Sequence, residues 1–231
     1  MITAAIINFF IGIVSFLIAA KLKQATKKRP EEKSLRFFYY GFALAASYFI
    51  LNALINFLGG TVIKNPLIHS FLTTPVRGII LLAVMYFVRI PLGFLKRKKL
   101  EKVYIAFMLL AIFSSTTMAF LGLERVEQVG MRPDNFLTGV AIFIIGISLT
   151  FSLFIAAFFY AYSALKNKYD KYIFKRSLLI SIGYFFSSLG AAMNYLFPGE
   201  TLSARIYALV LVTIAAIFFI LNVLYKKRAH R

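Results

Sequence analysis

The chain has 231 residues, of which 61% are hydrophobic and 15% are charged, and its formal net charge is +19. A soluble domain of this length could not bury so much apolar surface, so the composition indicates an integral membrane protein rather than a soluble nucleic-acid-binding domain. The chain has no cysteine, which excludes disulfides, thiolate metal sites and cysteine nucleophiles.

Seven apolar stretches are long enough to cross a membrane as helices, since a span requires about 20 mostly apolar residues. In chain order they are Ile2–Ala20, Phe37–Leu58, Thr74–Leu95, Val103–Leu123, Phe136–Leu165, Ser177–Phe197 and Ile206–Tyr225. These runs are too long for barrel strands and do not alternate strictly. The sequence therefore predicts an all-α, seven-helix transmembrane bundle forming a single domain over residues 1–231.

The basic residues predict how the chain is oriented. All but five of the 27 lie in or beside the first, third and fifth connections and the C-terminal tail. The positive-inside rule then places the N-terminus outside and the C-terminus in the cytoplasm, as an odd number of spans requires. No basic residue precedes the first span, and Lys21 and Lys23 follow it, which indicates an uncleaved anchor. We expect a cell-membrane protein whose basic inner connections, such as Lys21–Arg36, contact anionic lipid headgroups.

The spans also show an internal similarity. Ser15–Ala20 in span one resembles Ser152–Ala157 in span five. Spans two and six and spans three and seven match through the pairs Arg36 and Arg176, Ala43 and Gly183, Ser47 and Ser187, and Arg77 and Arg205. The conserved order predicts a parallel 3+1+3 repeat, with units 1–95 and 136–225 joined by a linker helix, 103–123. Ordinary helix packing without common ancestry explains the matched small residues equally well.

The distribution of acids and histidines excludes several chemistries. We expect all eight acids to lie in connections: Glu31, Glu32, Glu101, Glu124, Glu127, Asp134, Asp170 and Glu200. Buried carboxylates are the usual proton or cation sites of pumps, so a proton pump, carboxylate-coupled transport and an intramembrane aspartyl protease are disfavoured. His69 and His230 are too few for a zinc hydrolase and badly placed for a Ser–His hydrolase. We therefore expect no enzymatic activity, no metal and no cofactor.

The predicted plan is similar to that of the SWEET class of sugar transporters in length, orientation and order of spans. Those carriers have motif prolines inside several helices, whereas we expect none of the six prolines here to lie in the middle of a span, so the similarity is one of topology. Microbial rhodopsins also match in size and orientation. They need a lysine in the last span, and Ile206–Tyr225 contains none, which excludes covalent retinal.

Two arginines are candidate ligand-binding residues. Arg77 and Arg205 each lie about one turn inside the predicted outer start of a span, and Pro75 is expected in the first turn of its helix. Two cations beside positive helix N-termini can bind an anionic group. The alternative is that both side chains snorkel to the lipid headgroups.

Neutral polar residues form the second candidate feature. Asn52 and Asn56 lie one turn apart, Tyr48 continues their face, and Asn194 lies in span six. Such groups either hydrogen-bond between helices as packing contacts or line a pocket open to the outside. The predicted ligand-binding set is therefore Arg77, Arg205, Asn52, Asn56, Asn194 and Tyr48.

Three functions fit these features. The first is a carrier or facilitator that binds an uncharged or weakly anionic small molecule in an outward-facing pocket. The second is a sensor or receptor that signals through its basic cytoplasmic loops to a protein partner. The third is an accessory subunit of a membrane complex.

Overall fold

The computed structural model describes residues 2–61, 66–94, 98–129, 136–196 and 202–225, and within these ranges the chain is all-helical apart from short turns. The helices are α1 (Ile2–Lys28), α2 (Lys33–Thr61), α3 (Pro66–Phe94), α4 (Lys98–Val129), α5 (Phe136–Lys166), α6 (Lys171–Tyr195) and α7 (Leu202–Leu224). Six are long and apolar enough to cross a membrane, whereas the apolar part found for α7, Ile206–Asn222, is shorter. The prediction of an all-helical fold with seven helices is confirmed, and its orientation in a membrane stays a prediction.

The chain divides into two compact units, Met1–Leu149 and Thr150–Arg231. The first unit contains α1 to α4 and the beginning of α5, and the second contains the rest of α5 with α6 and α7. The boundary therefore falls inside α5. The predicted repeat units, 1–95 and 136–225, stay a prediction.

The first connection is a helical hairpin rather than a loop. α1 continues past the apolar span to Lys28, and α2 already begins at Lys33. Pro30 lies in the turn between the two helices, and it ends α1 because the residue before a proline avoids helical geometry. Arg36 closes the turn by donating from Nη2 to the Pro30 carbonyl oxygen at 2.6 Å. The predicted connection Lys21–Arg36, here called the basic hairpin, thus carries its charges on ordered helix ends.

Helix α3 begins earlier than the sequence predicts. Its first residue is Pro66, which suits a proline because the first-turn N–H has no helical acceptor. Pro75 is the tenth residue of the helix, so its predicted place in the first turn is wrong. Pro75 and Pro91 both lie inside α3, near the two ends of its apolar segment Phe71–Gly93, so among the described residues no proline lies in the middle of a span. Each of them leaves the helix without one backbone hydrogen bond.

Helix α4 is longer than the span predicted within it. It covers 32 residues and includes Glu101 in its first turn, as well as Glu124 and Glu127. The expectation that every acid lies in a connection is wrong for Glu101, which lies in the apolar segment of α4, Lys98–Thr117; Glu124 and Glu127 are helical but lie beyond that segment. At about 1.5 Å per residue the helix measures about 48 Å, so its ends extend beyond a hydrocarbon layer about 30 Å thick.

In the first unit, α2 and α3 approach closely at a glycine. A Cβ added to Gly41 would lie 2.5 Å from Cε1 of Phe87, so only glycine fits beneath that ring. The next residue, Phe42, packs edge-to-face on the same ring, with centroids 5.0 Å apart and planes at 69°. Phe42 and Phe87 are both buried.

The second unit contains a similar three-residue contact between α6 and α7, with a tyrosine in place of the phenylalanine beside the glycine. A Cβ on Gly183 would lie 3.0 Å from the ring of Phe219. Tyr184 packs edge-to-face on that ring, with centroids 5.1 Å apart and planes at 72°. In this comparison Gly183 corresponds to Gly41. The sequence repeat pairs Gly183 with Ala43 instead, which is two residues further along α2.

Candidate functional site

Two amides on α2 form a short ladder. The Nδ2 group of Asn56 donates to the backbone oxygen of Asn52 at 2.7 Å and to its side-chain oxygen at 3.2 Å. Both residues are half-buried. The predicted one-turn relationship is confirmed. Among the described residues, no further hydrogen bond occupies the amide nitrogen of Asn52 or the amide oxygen of Asn56, so one neutral donor and one neutral acceptor stay open.

Tyr48 extends this ladder by one turn. It is half-buried, and its ring meets that of Phe49 edge-to-face with centroids 5.0 Å apart. Tyr48, Asn52 and Asn56 follow one another at four-residue intervals, so they share one face of α2. This polar face lies on a helix whose sequence contains no acidic residue.

The spacing of residues along α2 and α3 predicts that Arg77 lies near the depth of this polar face. The contact between Gly41 and Phe87 fixes the register of two helices that run in opposite directions. Arg77 comes ten residues before Phe87 in α3, and position 51 comes ten residues after Gly41 in α2. Equal spacing from the contact places Arg77 near the level of position 51, which is next to Asn52. Arg77 is the twelfth residue of α3, so its predicted place about one turn inside the helix start is wrong. It is half-buried, and neither salt bridge in the described part of the chain involves it.

The two remaining predicted residues belong to the second unit. Asn194 lies in the last turn of α6 and is exposed. Arg205 is the fourth residue of α7, and its side chain lies outside the described residues. Their grouping with Arg77 and the amide ladder into one pocket stays a prediction.

Several other neutral polar groups are used in packing. Ser181 of α6 donates to the backbone oxygen of Ala157 in α5 at 2.8 Å, and Ser188 donates to that of Thr150 at 2.9 Å. These bonds are the interhelix contacts that the sequence allowed as an alternative to a pocket. Ser47, Ser115 and Thr213 instead donate to carbonyl oxygens of their own helices. Within the predicted set, Asn52 and Asn56 are the two half-buried residues that hydrogen-bond to each other and keep hydrogen-bonding positions open.

Sequence reasoning missed a charged contact at the basic end of the first unit. Nε of Arg89 in α3 lies 2.9 Å from Oε1 of Glu101 in α4, and the guanidinium carbon lies 4.4 Å from the ring centre of Phe37 in α2. One arginine therefore joins three helices. The sequence feature that could have indicated this salt bridge is that Glu101 is the single acid in a strongly basic segment, Lys96–Lys102.

A second missed cluster lies where α6 begins and α7 ends. Nε of Arg176 donates to Oδ1 of Asn222 at 3.1 Å, and its Nη1 donates to the hydroxyl of Tyr172 at 3.1 Å. The rings of Tyr172 and Tyr225 stack with centroids 5.6 Å apart. Asn222 is buried and is the one residue of α7 with a side-chain amide. This lone amide in an apolar helix is the sequence feature that could have indicated a polar partner on another helix.

No family model, no curated protein and no solved structure matches this chain. The functional argument therefore rests on the chemistry of the described residues. These residues contain no group of three or more His, Cys, Asp or Glu side chains that could hold a metal ion. What they offer instead is a pair of neutral amides on α2 and a half-buried cation, Arg77, on the neighbouring helix α3.

Proposed function

We propose that this protein is a carrier or facilitator for an uncharged or weakly anionic small molecule. The observation that carries the proposal is the Asn52–Asn56 ladder, half-buried within α2 and open at one donor and one acceptor. Polar groups in a bilayer require partners, and a solute with hydroxyl or amide groups supplies them. Arg77, predicted to lie near the same depth, favours a solute that carries a partial or single negative charge.

The charge pattern supports passive rather than ion-coupled movement. Neither α2 nor α3 contains an acidic residue, so the site has no carboxylate of its own to bind a proton or a sodium ion. A passive facilitator requires only a site that both sides can reach in turn. In α3 the interruption at Pro75, two residues before Arg77, provides a place where the helix can bend.

The proposal includes the N-outside orientation and the parallel repeat. The orientation places Asn52, Asn56 and Arg77 in the outer half of the membrane, because the basic hairpin then lies in the cytoplasm. The contacts of Gly41 with Phe87 and of Gly183 with Phe219 are similar, although they pair residues two and four positions away from the sequence repeat. A repeat of this kind favours a transporter, since many carriers are built from repeated units.

Flux through purified protein tests the proposal. We would reconstitute the full chain in liposomes and follow the entry of glycerol, erythritol, glucose and lactate by stopped-flow light scattering. We expect at least one of these solutes to enter faster than into protein-free liposomes. The Asn52→Leu/Asn56→Leu variant should lose that increase, whereas Ser47→Ala on the exposed face of α2 should retain it. No increase for any solute, or an increase that the double variant retains, would contradict the proposal.

A sensor is the second candidate, and the basic hairpin is the observation that favours it. Its lysines at positions 21, 23, 27, 28 and 33 are exposed on helix ends held together by the turn, a form suited to recognition by an acidic partner. The same liposome preparations distinguish the two functions. A solute that raises the unfolding temperature without crossing the membrane would favour the sensor.

A further inference from the structure

We propose that the start of α6 and the end of α7 form a binding site for a phosphate group, as carried by an anionic lipid headgroup. The site consists of Arg176, its neutral partners Asn222 and Tyr172, and the neighbouring Lys175. It is independent of the proposed transport function, because all four residues lie in the second unit and none belongs to the amide ladder.

The first step in the argument is that the guanidinium of Arg176 is held in place by neutral groups. Its Nε donates to the buried Asn222 and its Nη1 donates to Tyr172, and its carbon lies 5.5 Å from the ring centre of Tyr172. No hydrogen bond to a described residue occupies Nη2. The arginine is therefore oriented while part of its planar donor edge stays open, which is the arrangement that binds phosphate oxygens.

The second step is that the charge of Arg176 is not neutralised by the described residues. Neither of their two salt bridges includes it. The nearest acid along the helix, Asp170, already accepts hydrogen bonds from the backbone N–H groups of Tyr172 and Ile173 as the N-cap. Arg89 in the first unit differs in this respect, because its Nε lies 2.9 Å from Oε1 of Glu101, which neutralises its charge.

The third step is the position of the site at the edge of the apolar segment. The predicted apolar span begins at Ser177, directly after Arg176, and the stacked Tyr172 and Tyr225 provide the aromatic pair typical of a membrane interface. Lys175 adds a second cation, 5.9 Å from the ring centre of Tyr225. Lipid phosphates lie at this depth, so an anionic headgroup is the source that the position favours.

Lipid titration of the full chain in a neutral detergent tests the site. The probes are short-chain phosphatidylglycerol, short-chain phosphatidylcholine and inorganic phosphate, and the measurement is the rise in unfolding temperature. Phosphatidylglycerol should stabilise the protein more than phosphatidylcholine does. The Arg176→Gln variant should need at least about fivefold more phosphatidylglycerol for the same effect.

Two further variants separate a built site from general attraction to a basic surface. Asn222→Leu removes the acceptor that orients Arg176 without altering any charge, and it should weaken the response in the same direction. It also decides the outcome if Arg176→Gln does not fold. Lys23→Gln removes an exposed charge from the basic hairpin and should leave the response nearly unchanged.

The outcomes are distinct. Stabilisation by inorganic phosphate alone would identify a soluble phosphate as the ligand of the same site, and stabilisation by phosphatidylglycerol alone would identify the lipid. Stabilisation by neither probe would overturn the proposal. So would a response that Asn222→Leu leaves unchanged, or one that Lys23→Gln weakens as much as Arg176→Gln does.

Discussion

Arg89 and Glu101 form a salt bridge of 2.9 Å between α3 and α4, with about a quarter of each side chain exposed. The guanidinium of Arg89 also lies against the ring of Phe37 in α2. Arg89 and Glu101 therefore connect three helices at one end of the first unit. Helices in a bilayer gain no hydrophobic free energy from meeting one another. A charged contact with an aromatic support is therefore a direct contribution to their association.

We predict that Glu101→Gln lowers the stability of the protein in detergent by about 1–2 kcal/mol, a value between those of exposed and buried ion pairs. Glutamine keeps an acceptor for Arg89 but removes the opposite charge. The measurement is the apparent unfolding temperature. Glu32→Gln is the matched control, because its partner Arg29 is 67% exposed and that pair should contribute less than about 0.5 kcal/mol. Equal shifts in the two variants would contradict the prediction.

Gly41→Ala and Gly93→Ala should change the stability in opposite directions. At Gly41 the added methyl group meets the buried ring of Phe87 at 2.5 Å, so we expect a loss of about 1–3 kcal/mol. At Gly93 nothing lies within 4 Å, and alanine should stabilise the helix by up to about 1 kcal/mol. Unfolding temperatures of the two variants test this. A stabilising effect of Gly41→Ala would show that α2 and α3 do not approach at this point.

Ser188→Ala should destabilise the second unit modestly, by about 0.6 kcal/mol, the average for a hydrogen bond between membrane helices. The lost bond runs from its hydroxyl to the backbone oxygen of Thr150. Ser47→Ala is the comparison, since that hydroxyl is exposed and bonds to its own helix at Ala43. Its removal should change the unfolding temperature little. A larger loss in Ser47→Ala than in Ser188→Ala would count against the assigned contact.

The orientation can be tested by single-cysteine labelling, because the chain has no cysteine of its own. In intact cells we expect Lys168→Cys and Lys98→Cys to be protected from a membrane-impermeant maleimide. Lys64→Cys should react with it. Permeabilised cells provide the control, since the protected positions must then react. Labelling of Lys168→Cys or Lys98→Cys in intact cells would contradict the predicted orientation, because it would place these positions outside the cell.

The sequence by itself determined the class of protein and the approximate place of each helix. The hydropathy of a span is the average over about 20 consecutive residues, so it can be read from the sequence alone. The apolar run Phe37–Leu58 therefore predicts a helix without any knowledge of tertiary contacts. The one-turn spacing of Asn52 and Asn56 is local in the same way, and the hydrogen bond between them follows from it.

The tertiary structure decided which faces of the helices meet. Nearly every face is apolar, so the sequence carries little periodic signal to show that Gly41 lies under Phe87 or that Arg176 reaches Asn222. It also decided where helices end: α1 continues past its apolar span to Lys28, and α3 continues through Pro75. Packing between neighbouring helices offsets the unfavourable local preferences at such positions, and this contribution depends on residues far apart in the chain.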